Sequence, residues 1–138
     1  MCWLSLGAGN IKMLQMYFHK IILHNWDISS FTGLWGIINN AGIAGQVGPC
    51  EWLTLDDYKA CTDVNLWGVI DCTLTFLPLI KKEKGRIVNI ASVMGRFSLP
   101  EGSTYSVSKF GVEAFTDSLR YTCIFIYQNL HILVMLVD

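Results

Sequence analysis

Apolar and polar positions follow a readable pattern from Gly33 onward, where short apolar runs are separated by turns and amphipathic segments. The run Leu34–Ile38 is followed by the turn residues 39–42 (NNAG), which predicts a buried strand leading into a loop. Residues 86–92 (RIVNIAS) are rich in β-branched side chains and give the strongest strand prediction in the chain. Two short buried strands are therefore expected, each followed by a loop.

Two helices are predicted, one between these strands and one after them. Thr54 is expected to cap the first, which runs from Tyr58 to about Ile80 and ends near residues 81–82 (KK), with Pro78 kinking it or ending it early. The second is expected over residues 105–120. Its apolar positions are Val107, Phe110, Val112, Phe115 and Leu119. The order strand, helix, strand, helix predicts an α/β fold, with a parallel sheet covered by helices and a right-handed crossover.

Both ends of the chain are apolar without a clear period. Residues 13–24 are compatible with a strand or with a helix. Residues 121–137 contain no Asp, Glu, Lys or Arg. A buried strand or helix is favoured there over a membrane span, because Gln128, Asn129 and His131 interrupt the apolar run. No signal peptide is expected, since no basic segment precedes an apolar run near the N-terminus.

Composition excludes several classes of function. The chain has 138 residues, of which 52% are hydrophobic and 15% charged, so we expect one folded domain over residues 1–138 rather than a disordered chain. A net charge of −1 provides no positive field for a phosphate backbone, which argues against nucleic-acid binding. The five cysteines and three histidines lack disulfide or metal-ligand spacing, so reduced thiols and no metal site are expected.

Tyr105 and Lys109 carry the most informative chemistry. Their i, i+4 spacing puts them on one face of the second predicted helix. An ammonium near a phenol favours the phenolate, and such a tyrosine can take a proton from an alcohol or give one to a carbonyl. An isolated pair of this kind is more often an ordinary exposed pair on a helix, so the prediction depends on the residues around it.

Ser92 and Asn65 supply that context. Ser92 directly follows the strongest predicted strand, at the sheet edge where ligands of open α/β sheets bind, and its hydroxyl is placed to orient a substrate oxygen toward Tyr105. Asn65 lies in the first predicted helix. It is expected either to connect Lys109 to bulk water through ordered solvent or to be an exposed helix position or one whose side chain hydrogen-bonds back to the helix backbone.

Four segments in this order resemble the short-chain dehydrogenase/reductase family: 39–42 (NNAG), 64–65 (VN), 89–92 (NIAS) and 105–109 (YSVSK). The flanking sequence is similar to the retinol dehydrogenase and 17β-/3α-hydroxysteroid dehydrogenase branch over about residues 32–120, whereas residues 1–31 and 121–138 diverge. The resemblance implies an NAD(P)-dependent oxidoreductase that interconverts an alcohol and a carbonyl on a lipophilic substrate, either a retinoid or a hydroxysteroid. The alternative is an inactive, truncated form that associates with full-length relatives.

The resemblance also assigns roles to individual residues. Tyr105 is expected to donate or accept the proton, Lys109 to tune it and bind the nicotinamide ribose, and Ser92 to bind the substrate oxygen. Asn65 is expected to complete the tetrad and support a water relay. The residues expected to line the cofactor cleft and brace the central strand are Asn39, Ala41 and Gly42.

Both termini depart from the family pattern. The expected fold is therefore a partial Rossmann-like, doubly wound parallel sheet that lacks the N-terminal Gly-rich βα unit and the C-terminal substrate lobe. Residues 6–10 (LGAGN) offer only a lone G-x-G, which we do not expect to be a phosphate loop. Asp27 stands too close to residues 39–42 to match the family's segment near the adenine. NAD is slightly favoured over NADP by the resemblance alone.

Partners and location are implied in the same way. Homo-dimers or hetero-dimers are expected through the helices near residues 56–80 and 105–120. Because family relatives often attach to endoplasmic reticulum membranes, an intracellular, membrane-associated location is expected, although no anchor is evident in this chain.

Overall fold

The computed structural model describes residues 33–123 and 130–136, together with the backbone of two short N-terminal strands over residues 2–5 and 14–16. Residues 6–10 and Asp27 lie outside the described residues, so the expectations for them stay predictions. The elements, in chain order, are β1 (Cys2–Ser5), β2 (Leu14–Met16), β3 (Gly36–Asn39), α1 (Leu55–Thr62), α2 (Gly68–Lys82), β4 (Arg86–Ile90), α3 (Ser103–Thr122) and β5 (His131–Met135).

The strands form one mixed sheet in the order β2-β1-β3-β4-β5. β3, β4 and β5 are parallel, with Asn39 beside Asn89 and Asn89 beside Val134, which confirms the predicted parallel sheet for these three strands. β1 is antiparallel to both β2 and β3. The N-terminal strands therefore extend the sheet as an antiparallel pair instead of repeating the strand-helix-strand unit.

Helices α2 and α3 cover one face of the parallel strands. Ile37, Ile87 and Ile132 point into this layer and pack with Phe76 of α2 and Leu119 of α3. The opposite face is more open, since the strand residues Ile38 and Leu133 are 39% and 50% exposed. The expectation of continuously buried strands is therefore met on one face only, and within the described residues the second helical layer of a doubly wound sheet is not seen.

The first helix begins and ends near the residues that the sequence predicts. Thr54 Oγ1 accepts a hydrogen bond from the Asp57 amide at 3.3 Å, and Asp57 Oδ2 accepts one from the Thr54 amide at 2.8 Å, which completes a capping box. The helical path then continues from α1 through a π-helical segment, Asp63–Trp67, into α2, which ends at Lys82. The prediction that Pro78 ends the helix early is wrong. Burial of the neighbouring Ile80 against the sheet offsets the hydrogen bond that proline cannot donate.

The buried face of α3 does not coincide with the apolar positions of the predicted helix. Two of those positions, Val107 and Phe110, are 51% and 44% exposed. The buried positions are largely polar: Thr104, Ser106, Ser108, Lys109, Glu113 and Thr116 lie inward with Val112 and Leu119. Polar groups are tolerated there where they find hydrogen-bond partners, as Thr104 does with the carbonyl oxygen of Gln46 at 2.9 Å.

A chain of side-chain hydrogen bonds crosses this core. Asn39 Nδ2 donates to Thr73 Oγ1 at 3.0 Å and to Asn89 Oδ1 at 2.7 Å. Asn89 Nδ2 donates in turn to Thr116 Oγ1 at 2.9 Å, and that hydroxyl donates to the carbonyl oxygen of Val112. The four side chains are buried, so the chain links α2, β3, β4 and α3 in one satisfied network.

One helical stretch, Leu55–Lys82, is long and apolar enough to cross a membrane by length and composition alone. It includes Cys72, Phe76 and Ile80, which are buried in the core beside the sheet. A core helix of a globular domain meets the same criterion, so this stretch is weak support for a membrane span.

Candidate active site

A cavity of about 440 Å³ opens at the carboxyl ends of β3 and β4, beside the start of α3. Its size falls within the range of small-molecule sites, and its position is the usual one for ligands of open α/β sheets. The residues that line it are Asn40, Gly42, Ile43, Ala44, Val47, Ile90, Ala91, Met94, Gly102, Tyr105 and Lys109.

Tyr105 and Lys109 both line the cavity from α3. Lys109 Nζ lies 5.5 Å from the centre of the Tyr105 ring, within cation–π range. The lysine is only 4% exposed, and its ammonium donates a hydrogen bond of 2.9 Å to the carbonyl oxygen of Ile90 at the end of β4. The geometry thus brings together a phenol, a fixed cation and the end of a central strand.

Burial sets the electrostatics of Lys109. Loss of solvation lowers the pKa of its ammonium from the ordinary value, and the Cys61 thiol opposes that change in part. In the described part of the chain no carboxylate forms an ion pair with it, although three other ion pairs are present. Lys109 therefore presents a positive charge that no described carboxylate neutralises.

Asn65 is fully buried in the π-helical segment that joins α1 and α2, so its alternative as an exposed helix position is wrong. Its side chain binds both backbone groups of Ile43: the Ile43 amide donates to Oδ1, and Nδ2 donates to the Ile43 carbonyl oxygen, each at 2.8 Å. Nδ2 also donates to Ser108 Oγ at 3.0 Å. Asn65 thereby ties the loop after β3 to α3, and its part in a water relay stays a prediction.

The residues expected to line the cofactor cleft fall in different places. Gly42 lines the cavity, and a β-carbon added there would lie 3.6 Å from Asn65 Oδ1 and 3.7 Å from Lys109 Nζ. Asn39 and Ala41 do not contribute to its lining. The Asn39 side chain instead bonds to Thr73 and Asn89 inside the core, where it braces the end of β3.

Ser92 lies next to the cavity and is 4% exposed. It caps a 3₁₀ turn, Val93–Gly95, because its Oγ accepts a hydrogen bond of 3.2 Å from the Met94 amide. Its neighbours Ala91 and Met94 line the cavity, whereas Ser92 itself does not. The structure therefore places Ser92 between lining residues with its hydroxyl on the Met94 amide, and its contact with a substrate oxygen stays a prediction.

Sequence reasoning did not identify the apolar part of the lining. Ile43, Ala44 and Val47 come from the loop after β3, and Met94 comes from the loop after β4. The available signal was the occurrence of apolar residues in loops that follow buried strands, at the edge where ligands bind. As for metals, the described residues contain no group of three His, Cys, Asp or Glu side chains that is placed to hold an ion.

Comparison with known sequences identifies the relatives of this chain. Residues 23–124 match the family described as short chain dehydrogenase. Retinol dehydrogenase 7 of Rattus norvegicus is 59% identical over 88 residues, which are 64% of this chain and 27% of the relative. The mitochondrial D-beta-hydroxybutyrate dehydrogenase of Rattus norvegicus is 51% identical over 89 residues, 64% of this chain and 26% of the relative. The chain thus spans about a quarter of the length of the curated relatives it matches.

Solved structures share the same architecture. A protein of Escherichia coli CFT073, described as a short chain dehydrogenase and solved in complex with NADPH, superposes with a TM-score of 0.71 at 26% identity. The superposition covers 78% of this chain and 44% of that protein.

Proposed function

The chain belongs to the short-chain dehydrogenase family, and we propose that it interconverts an alcohol and a carbonyl with a nicotinamide cofactor, NAD or NADP. The observation that carries the proposal is the pairing of Tyr105 with a buried, positively charged Lys109 in one cavity. The relative solved with NADPH and the retinol dehydrogenase relatives support it.

The residues present fit the reacting half of such a cofactor. A cavity of about 440 Å³ accommodates a nicotinamide riboside beside a substrate carbon, and Gly42 leaves open the space that a side chain would fill. Lys109 would bind the ribose hydroxyl groups. When bound, the nicotinamide supplies or accepts the hydride, and the protein positions the substrate.

In the proposed mechanism Tyr105 handles the proton. As a phenolate, Tyr105 accepts the hydroxyl proton of an alcohol during oxidation and becomes a phenol; as a phenol, it gives that proton to the carbonyl oxygen during reduction and becomes a phenolate. The Lys109 ammonium stabilises negative charge that develops on the phenol oxygen. Ser92, whose hydroxyl is held by the Met94 amide in the turn after β4, binds the substrate oxygen and turns it toward Tyr105. Asn65 fixes the loop that forms the opposite wall.

The lining favours a lipophilic substrate. Ile43, Val47 and Met94 contribute apolar surface, and within the described lining Lys109 is the charged residue. A retinoid or a hydroxysteroid fits this character better than a small hydroxy acid, whose carboxylate needs a cation of its own, because Lys109 is already assigned to the cofactor ribose and to Tyr105. Attachment to the endoplasmic reticulum membrane, where such substrates dissolve, is part of the same proposal.

The deciding experiment measures cofactor binding and turnover on the purified chain. Calorimetric titration with NAD and NADP, followed by assays with a retinol, a hydroxysteroid and 3-hydroxybutyrate, should reveal binding and turnover of a lipophilic alcohol. Tyr105→Phe should keep cofactor binding and lose at least about 100-fold in turnover, because the proton acceptor is gone. Tyr121→Phe removes an exposed hydroxyl from the same helix and should leave turnover unchanged. Absence of nicotinamide binding, or full turnover by Tyr105→Phe, would refute the proposal.

A second candidate function is association with full-length relatives without turnover. Large apolar side chains are exposed on the helices predicted to form dimers, including Trp67, Leu74, Val107 and Phe110. These helices meet where Gly111 of α3 packs against Leu66, so the exposed residues flank one helix–helix contact. Light scattering alone and with a full-length retinol dehydrogenase tests this candidate. This candidate would be favoured over the oxidoreductase activity if the chain forms a complex that Trp67→Glu abolishes and shows no turnover with a nicotinamide cofactor.

A further inference from the structure

A buried carboxylate lies one helical turn beyond Lys109. Glu113 is 5% exposed, and its Oε2 accepts a hydrogen bond of 2.7 Å from Arg96 Nη2. Its other oxygen, Oε1, is buried without a hydrogen-bond partner among the described residues. A buried carboxylate is costly unless a cation or donors satisfy it, so Arg96 is the group that makes this burial tolerable.

Arg96 ends the turn that carries Ser92 and Met94. Within that turn the Gly95 amide donates to the Ser92 carbonyl oxygen at 2.8 Å, and the Arg96 amide donates to the Val93 carbonyl oxygen at 2.9 Å. Ser92 Oγ accepts from the Met94 amide as well. These local bonds make Ser92–Arg96 a compact unit. A contact made by the Arg96 side chain therefore positions the whole turn.

Gly95 brings this unit into direct contact with α3. A β-carbon at Gly95 would lie 3.0 Å from the Lys109 carbonyl oxygen and 3.2 Å from Glu113 Cγ. The turn therefore packs on the same stretch of helix that presents Lys109 to the cavity. The close approach is possible because glycine has no side chain, and the Arg96–Glu113 ion pair closes the contact on its outer side.

We propose that the Arg96–Glu113 ion pair is a positioning element that holds the Ser92–Arg96 turn against α3, and so sets the distance of Ser92 and Met94 from Tyr105 and Lys109. It acts on substrate binding rather than on cofactor binding, since Met94 contributes apolar surface to the cavity and Ser92 begins the turn that carries Met94. The link to substrate rests on the proposed function, whereas the attachment of the turn does not.

The attachment is tested without any assay of activity. Amide hydrogen exchange followed by NMR should show Met94, Gly95 and Arg96 exchanging about tenfold faster in Glu113→Gln, while amides of β3 and β4 stay protected. Arg96→Lys keeps the cation and should restore part of the protection that Arg96→Met loses. Asp117→Asn is the matched control, because it breaks the partly exposed Asp117–Arg120 ion pair of the same helix and should leave the turn unchanged.

The link to substrate is tested by kinetics on the same variants. Glu113→Gln should raise KM for the alcohol about tenfold and leave the Kd for the nicotinamide cofactor unchanged, because only the substrate side is displaced. A purely structural role would reduce the active fraction and lower apparent kcat at constant KM.

The outcomes separate the two proposals. Unchanged exchange in the turn, or a uniform rise over the whole chain, would overturn the positioning role. Faster exchange in the turn with an unchanged KM would overturn its effect on substrate. If the wild-type chain shows no turnover, the proposed function fails, and the exchange experiment still decides whether Arg96 and Glu113 hold the turn.

Discussion

The Lys109 ammonium donates a hydrogen bond of 2.9 Å to the carbonyl oxygen of Ile90. This bond joins a helix side chain to the last residue of β4, where the central strand reaches the cavity. It fixes one of the three N–H groups of the ammonium and leaves the others to face the cavity and Tyr105. A long, flexible side chain is thereby held in one position, which a site acting by electrostatics requires.

Burial of this ammonium predicts a pH dependence of stability. Because burial lowers the pKa of Lys109 in the folded protein, the folded state binds fewer protons than the unfolded chain between the two pKa values. The free energy of unfolding should therefore gain a contribution as the pH rises from the lowered pKa toward the unfolded value of about 10.4. Urea unfolding of the wild type and of Lys109→Met at several pH values between 7 and 10 measures this contribution, as the difference between their free energies of unfolding at each pH.

The exposed Lys59 provides the control for that measurement. Its side chain is 60% exposed, so Lys59→Met should follow the pH dependence of the wild type. The opposing contribution of the Cys123 thiol, whose pKa burial raises, is common to all three proteins and cancels in the comparison. Burial also raises the pKa of the Cys61 thiol, which interacts with Lys109 and does not cancel, so all three proteins carry Cys61→Ala. Parallel curves for the wild type and Lys109→Met would show that burial of the ammonium does not disfavour its charged form.

Local signals in the sequence were sufficient for several features of this site. The apolar run before residues 39–42 places β3, and the Thr54-to-Asp57 spacing places the start of α1. The i, i+4 spacing places Tyr105 and Lys109 on one face of α3. Each of these features depends on neighbours within one or two turns of the chain, and such neighbours are visible in a single sequence.

Features that depend on distant partners were not visible. The outward face of α3 carries Val107 and Phe110 because its inward face is occupied by polar groups bonded to remote segments, such as Thr116 to Asn89. Asn65 is buried because its amide pairs with the backbone of Ile43, 22 positions earlier. Hydrophobic periodicity identifies an apolar face of a helix. It does not show whether a buried polar network will occupy the inward side and leave that apolar face exposed.

Gly42→Ala should fold and bind the nicotinamide cofactor less tightly. The added methyl group would meet Asn65 Oδ1 at 3.6 Å and Lys109 Nζ at 3.7 Å, which are ordinary contacts, so the fold is not strained. Because Gly42 lines the cavity, the methyl group would occupy cavity space, and a misfit of one carbon lowers affinity by about tenfold or more. Calorimetric titration with NAD and NADP measures the loss.

Gly36→Ala is the matched control because it adds the same methyl group at the opposite end of β3. Its β-carbon would meet the Arg86 carbonyl oxygen at 3.4 Å, away from the cavity lining. Affinity should equal that of the wild type. Equal affinities for all three proteins would mean that the cofactor does not approach Gly42.

Thr116→Val should destabilise the domain through the buried network. Valine has nearly the shape of threonine but cannot accept the 2.9 Å hydrogen bond from Asn89 Nδ2, which leaves a buried donor unsatisfied. The expected loss in the free energy of unfolding is about 1–3 kcal/mol. Thr122→Val removes a similar bond to the carbonyl oxygen four residues earlier, at the exposed end of α3, and should change stability by less than about 0.5 kcal/mol. If both variants lose a similar free energy of unfolding, the bond from Asn89 to Thr116 adds no stability beyond that of a hydroxyl-to-carbonyl bond within the helix.

The capping box at Thr54 predicts a loss of stability that depends on pH. Thr54→Ala removes the acceptor for the Asp57 amide and should cost about 1 kcal/mol at pH 7. The backbone amide and the side chain of Thr54 hydrogen-bond the Asp57 carboxylate and lower its pKa. The stabilisation from these bonds is complete above the unfolded pKa of about 3.9 and is lost as the pH falls through the folded pKa. Urea unfolding at pH 7 and in acid should therefore show a smaller difference in the free energy of unfolding between wild type and variant in acid.

Asp56→Asn is the control, because it removes the exposed pairing with Lys59 and should match the wild type at pH 7. A constant difference between the wild type and Thr54→Ala at every pH would contradict the role of Asp57.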